Sequence, residues 1–155
     1  MSGLDQVERT LVIIKPDAIQ RRLAGEIIRR FERRGLRMIA MKMIQIDVPL
    51  AERHYAEHKG KPFYDALIRF ITASASVVMV LEGPQAISMV RRMMGATNPA
   101  DAEPGTIRAD YAMQTTFNLV HGSDGPETAE REMALFFAPQ EIISQPRPTE
   151  RFDFE

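Results

Sequence analysis

The chain has 155 residues, 45% hydrophobic and 26% charged, and 20 Lys+Arg against 21 Asp+Glu leave a formal net charge of -1. That profile fits one domain (1–155) with a sizeable core and gives no global electrostatic reason to expect nucleic acid or an anionic membrane as the main partner. Cysteine is absent, which excludes disulfides, thiol catalysis and thiolate metal sites. Residues 1–9 are polar without a signal-peptide core, and no apolar run approaches the ~20 residues of a membrane span, so a cytoplasmic protein is expected.

Residues 10–14 are β-branched and apolar and predict a buried strand, ended by Lys15-Pro16-Asp17. A lysine on the end of a buried strand is a candidate site residue, although it could simply reach solvent. Ala24, Ile27, Ile28 and Phe31 recur at helical spacing, with Arg29, Arg30, Arg33 and Arg34 largely on the other, solvated face. Gly35 suits the left-handed stop of that helix. Residues 36–48 read as a long strand with an edge-like or bent half. A helix over 49–58 follows, carrying His54 and His58 at i, i+4 as an exposed pair. With His121 they could form a three-histidine zinc site, a weak reading because the His-Glu-x-x-His order is missing.

Phe63, Leu67, Phe70 and Ile71 form the stripe of a helix starting near residue 61, with Phe63 in its less buried first turn. Residues 75–81 predict another buried strand, broken by Glu82-Gly83-Pro84, and residues 84–94 a helix with Arg91 and Arg92 near its end. Periodicity then fails over 95–116, a loop long enough to be functional, holding Thr97, Asn98 and Arg108. A strand over 117–120 carries His121 to its end. The following helix, from about Pro126, is capped by Asp124 or Gly125 and carries Glu132. The tail, 138–155, contains Phe152 and Phe154, too apolar to be left free and expected to dock on this subunit or a neighbour. The element order predicts an α+β fold: a ferredoxin-like split βαβ sandwich, its four-stranded antiparallel sheet covered by helices on one face, with a long loop inserted before the last strand.

Lys15, Tyr55, Arg91, Thr97, Arg108, Asn118 and His121 all fall at element ends. Three cations and a hydroxyl converging on one histidine would make a phosphate pocket, and there is no Gly-x-x-x-x-Gly-Lys-Ser/Thr loop to offer another. Phosphoryl transfer needs positioning and charge stabilisation, and a histidine can accept the group itself. Glu132 lies eleven residues after His121 and could reach back to hold the imidazole.

Asn118-Leu119-Val120-His121-Gly122-Ser123-Asp124 closely resembles the active-site signature of nucleoside diphosphate kinases. Lys15-Pro16-Asp17, Gly25-Glu26-Ile27-Ile28, His54-Tyr55, Pro62-Phe63, Gly95-Ala96-Thr97-Asn98-Pro99-Ala100-Asp101 and Pro104-Gly105-Thr106-Ile107-Arg108 stand in that family's order and spacing. The resemblance implies a ping-pong enzyme moving the γ-phosphoryl group of a nucleoside triphosphate to a nucleoside diphosphate, with broad base specificity. It implies His121 as nucleophile, oriented by Glu132 with help from Ser123, and Lys15 and Tyr55 near the γ-phosphate. Arg91, Thr97 and Arg108 would bind the terminal phosphates, Lys15 and Asn118 the ribose hydroxyls, and Phe63 would stack on the base. Mg²⁺ would be held through the phosphates, and the chain would assemble as a hexamer, with a tetramer as the alternative, using the tail and the long loop as contacts.

Ala18, Ser74-Ala75, Thr115-Thr116-Phe117 and Gly125 depart from the common pattern. Thr115-Thr116-Phe117 matters most, since bulkier residues beside the base pocket could alter nucleotide affinity. Two competing readings are a ferredoxin-like nucleic-acid-binding or regulatory module with a vestigial site, and the histidine-metal hydrolase. Against the first, the strands lack the interleaved aromatic and basic residues of an RNA-recognition motif.

Overall fold

Every side chain from Leu11 to Ile14 is fully buried, and that run lies within strand β1 (Val7–Ile14) of the computed structural model, which describes residues 7–144. Aliphatic, β-branched residues without polar alternation suit a strand covered on both faces. β1 pairs antiparallel with β3 (Ser76–Pro84) on one side and with the short β4 (Val120–Gly122) on the other. Strand β2 (Arg37–Ile44) pairs antiparallel with β3, so the order is β2-β3-β1-β4. This is the four-stranded α+β sheet that the element order predicts. β2 ends at Ile44 rather than at 48, and its irregularity is a register shift between Met38 and Ala40, nearer the strand's start than the bent half expected around Lys42 and Gln45.

Helices cover both faces of the sheet rather than one. Val12 and Ile14 join a core with α1 (Pro16–Gln20), α2 (Ala24–Arg34), α5 (Ala86–Met94) and α6 (Ile107–Tyr111). Leu11 and Ile13 point the other way, into a core with α3 (Val48–His54), α4 (Tyr64–Thr72) and α7 (Pro126–Phe136). Leu11 to Ile14 are all apolar, so a single helical layer would leave half of them in water. Gly35 ends α2 with φ 104, as its position predicts.

Several boundaries differ from expectation. β3 continues through Glu82-Gly83-Pro84 because Glu82 is clamped by Arg9 (2.8 Å) and Arg37, and Pro84 sits at the strand's end opposite Val7. α3 stops at His54, and Ala56–His58 is a separate 3-10 turn. The long loop holds local structure: a 3-10 turn at Pro99–Asp101 capped by Asn98, and α6 capped by Thr106. Helix α7 starts at Gly125 with no side-chain cap. Phe152 and Phe154 lie outside the described residues. Among the described residues no helix is long and apolar enough to cross a membrane.

Candidate active site

The stretch before His121 is not a strand, which corrects the expected 117–120 boundary. Leu119 has φ 74, a left-handed conformation that β-sheet pairing does not allow, so β4 begins only at Val120 and carries His121 in its middle, opposite Ile13. Two bonds from the end of β1 hold the kink. Lys15 N–H donates to Leu119 O (2.9 Å), and Asp17 Oδ2 accepts from Leu119 N–H (3.1 Å). Asp17 is buried, and desolvation raises its pKa despite the opposing charge of Lys15. Gly122 follows because a Cβ there would meet Met94 Sδ at 2.8 Å and Val90 Cγ1 at 3.0 Å.

His121 is half-buried, and its Nε2 lies 2.9 Å from Glu132 Oε2. Glu132 is buried on α7, and its other oxygen accepts from the Ser123 hydroxyl at 2.6 Å. Burial pushes the Glu132 pKa up, but bonding to His121 and Ser123 outweighs it, and the net direction is down. A carboxylate on one side of the ring calls for the Nε2–H tautomer, which leaves the Nδ1 lone pair unprotonated. Nδ1 has no hydrogen-bond partner among the described residues.

His54 is the surprise of this centre: it was expected exposed and is 4% exposed. Its ring meets those of Tyr55, His121 and Phe136 edge to face. Nδ1 comes within 3.3 Å of Glu132 Oε2, but the angle makes no hydrogen bond, and neither ring nitrogen has a partner among the described residues. Burial, with the neighbouring His121, lowers its pKa to about 3, so the ring is neutral. His58 stands apart, with Nδ1 3.1 Å from Lys61 Nζ, so the three-histidine zinc arrangement is not formed. His54, His121 and Glu132 do converge, their ligand atoms all within 4.8 Å of one another.

The cations surround this histidine. Lys15 is 9% exposed and donates to Asn118 Oδ1 (2.9 Å), while Asn118 Nδ2 donates to Thr97 O (3.0 Å). Desolvation, then repulsion from Arg108, lowers the Lys15 pKa to about 8. Arg108 is buried and donates to three carbonyls: Asn118 O (3.3 Å), Gly95 O (2.9 Å) and Val120 O (2.7 Å). Burial and Arg91 lower its pKa to about 10. Gly95 has φ 87, and a Cβ there would lie 2.5 Å from Thr106 Oγ1. Arg91 donates to Gly122 O (3.1 Å).

These residues line a cavity of about 470 Å³. Lys15, Tyr55, Phe63, Arg91, Thr97, Arg108, Asn118, His121 and Glu132 all reach it; Ser123 does not, being fully buried behind Glu132. Tyr55 is buried, and desolvation then Glu132 raise its pKa, so the phenol stays protonated. Phe63, the residue before α4, is 48% exposed with Ala66 and Leu67 beside it on the cavity wall. Thr115 and Thr116 also line the cavity, while Phe117 packs edge to face on Phe70, with centroids 5.2 Å apart. Asp17 was given no role by sequence reasoning, and His54 was weighed only as an exposed metal ligand paired with His58, not as a buried neighbour of His121. Asp17 was visible only as part of a strand stop, and His54 was hidden by the assumption that an i, i+4 pair shares a solvated face.

The cavity therefore combines fixed cations, an apolar aromatic lip and a half-buried imidazole backed by a carboxylate. Comparison with known proteins is consistent throughout. Residues 8–142 match the family model described as nucleoside diphosphate kinase. A nucleoside diphosphate kinase of Thermococcus kodakarensis is 60% identical over 141 residues, covering 89% of this chain and 81% of the relative. One from Listeria monocytogenes is 59% identical over 138 residues, covering 89% and 94%. The solved structure of a halophilic nucleoside diphosphate kinase from Halobacterium salinarum in complex with CDP superposes with TM-score 0.92 at 47% identity, over 97% of this chain and all of that one (100%). A nucleoside diphosphate kinase family protein from Babesia bovis gives 0.88 at 42%, over 91% and 95%. The chain belongs to the nucleoside diphosphate kinase family.

Proposed function

We propose that this chain moves the γ-phosphoryl group of a nucleoside triphosphate to a nucleoside diphosphate in two half-reactions through His121. The observation that carries the reading is the Nε2–Glu132 contact of 2.9 Å, which leaves Nδ1 as the unprotonated nitrogen of a ring that lines the cavity. Nδ1 attacks the γ-phosphorus, the bond to the β,γ-bridging oxygen breaks, and the diphosphate leaves with that electron pair. The positive charge that develops on the ring is met by the Glu132 carboxylate, which Ser123 holds in place. A second diphosphate then attacks the phosphohistidine along the reverse path.

Arg91, Arg108 and Thr97 bind the terminal phosphates in this reading, and Lys15 and the Tyr55 hydroxyl act near the transferring group. Lys15 and Asn118, joined at 2.9 Å, also present polar atoms to the ribose. Phe63 stacks on the base; an aromatic face accepts any base, which supports broad specificity. The cavity's buried carboxylate is engaged by His121 and Ser123, and only Asp124 and Glu57 add carboxylates to a lining that carries Lys15, Arg91 and Arg108, a donor set that fits Mg²⁺ arriving on the nucleotide rather than in a protein cage. Mg²⁺ would bridge phosphate oxygens and neutralise charge there.

Incubation with [γ-³²P]ATP and Mg²⁺ is expected to give an acid-labile, alkali-stable label that added GDP removes. His121→Ala should abolish both, and retained labelling would sink the assignment. We place this activity in the cytoplasm and in a homo-hexamer. Support for self-association comes from β2, an outer strand with Met41 52% and Met43 63% exposed.

A further inference from the structure

A buried imidazole that bonds to nothing calls for an explanation. His54 has that character: both nitrogens are without a hydrogen-bond partner among the described residues, and phosphoryl transfer as derived above gives the side chain no task. Its Nδ1 stands 3.3 Å from Glu132 Oε2, the same oxygen that lies 2.9 Å from His121 Nε2. The two rings are perpendicular, at 85°, with centroids 4.8 Å apart. Two imidazole nitrogens and one carboxylate oxygen thus lie within 4.8 Å of one another at the wall of the cavity.

That donor set selects a class of metal. Imidazole nitrogen suits zinc and its neighbours, whereas Mg²⁺ demands an octahedron of oxygens. Around a tetrahedral Zn²⁺ with bonds of ~2.0–2.1 Å, ligand atoms sit about 3.3–3.4 Å apart. The His54–Glu132 pair already has that separation. The half-exposed His121 ring is the one free to adjust: it must open slightly from its 2.9 Å contact with Glu132 and close on His54, since the three ligand atoms lie within 4.8 Å of one another. The cavity supplies an entry path and a water for the fourth position.

We propose that His54, His121 and Glu132 form a Zn²⁺ site whose occupation shuts off phosphoryl transfer. When the ion takes His121 Nε2, that nitrogen gives its proton to solvent and Nδ1 takes one up from solvent, so the ring stays neutral as the Nδ1–H tautomer. The lone pair that attacks phosphorus is then gone, and the carboxylate that orients the ring coordinates metal. The inhibitory half rests on His121 being the nucleophile; the binding half does not.

The full chain, stripped with chelator and free of nucleotide, is titrated with Co²⁺ as the spectroscopic substitute for Zn²⁺. The expected result is one Co²⁺ per chain with the intense visible absorption of a tetrahedral site, removed by Zn²⁺. Zn²⁺ added in the presence of excess Mg²⁺ should suppress ³²P labelling over the same concentration range. His54→Asn should weaken Zn²⁺ binding by more than about tenfold, because it deletes a ligand outright. His58→Ala should leave the cobalt spectrum unchanged. If circular dichroism finds His54→Asn unfolded, His121→Ala makes the same test at a half-exposed position. No bound cobalt, or binding that survives loss of either histidine, overturns the site. Cobalt binding without any Mg²⁺-dependent labelling would instead leave the site standing and overturn the phosphotransfer reading.

Discussion

Lys15 is held in two conflicting ways. Burial and Arg108 lower its pKa to about 8, yet a nucleotide phosphate needs it charged. In the empty protein, protonation is easier in the unfolded chain, so Lys15 is destabilising below about pH 8 and that penalty fades as pH rises toward the ordinary value of 10.5. Nucleotide affinity should run the opposite way and fall as pH passes through about 8. KM for a nucleoside diphosphate, measured from pH 7 to 9.5, is expected to rise across that interval, and Lys15→Arg should flatten the rise. A KM independent of pH in the parent enzyme would remove Lys15 from phosphate binding. A buried lysine of this kind was legible from the sequence only as a polar residue closing an apolar strand; the shift depends first on burial and then on Arg108, which lies far along the chain.

Between residue and fold lies the kink that sets where β4 starts. A left-handed leucine costs about 1–2 kcal/mol locally, and Asp17 on α1 offsets this by accepting from Leu119 N–H at 3.1 Å. Asp17→Ala should therefore lower stability by about 1–3 kcal/mol, because a buried donor is left unsatisfied. Asp17→Asn keeps an accepting oxygen and should cost clearly less. Urea unfolding of the two variants checks the order, and equal losses would mean that Asp17 acts through charge alone. Apolar periodicity placed the helices well because they bury one stripe each. It misplaced β4, since a run such as Asn118-Leu119-Val120 reads as extended in any local window. The bond that bends it comes from a residue about a hundred positions earlier.

For the molecule as a whole, helices pack on both faces of the sheet, and β2 and β4 are its outer strands. The outer side of β2 takes a backbone bond from Ile143 to Ile39 O (2.8 Å), while Met41 and Met43 remain exposed. Replacing both methionines by lysine should shift sedimentation of the proposed hexamer toward smaller species while leaving the far-ultraviolet spectrum unchanged. An unaltered sedimentation coefficient would move the interface elsewhere. Topology was readable from element order, because split βαβ units leave few ways to close a four-stranded sheet. The second helical layer was not, although the unbroken apolar run from Leu11 to Ile14 carried the signal. Of the site, its composition was legible and its interior wiring was not: the Glu132 bonds, the seclusion of His54 and the Arg108 anchors all join residues distant in sequence.

Arg108 shows what this wiring implies for binding. A guanidinium has five N–H donors, and three of these are already committed to the carbonyls of Gly95, Asn118 and Val120. The side chain is immobilised before any nucleotide arrives, so its conformational entropy is lost during folding rather than on binding. In the proposed reading a phosphate would meet about two remaining donors on a rigid mount, and little ordering entropy would be left to lose on binding. An arginine anchored in this way offers the same donor geometry to each nucleotide in turn, so the proposed phosphate site does not have to be rebuilt between the two half-reactions.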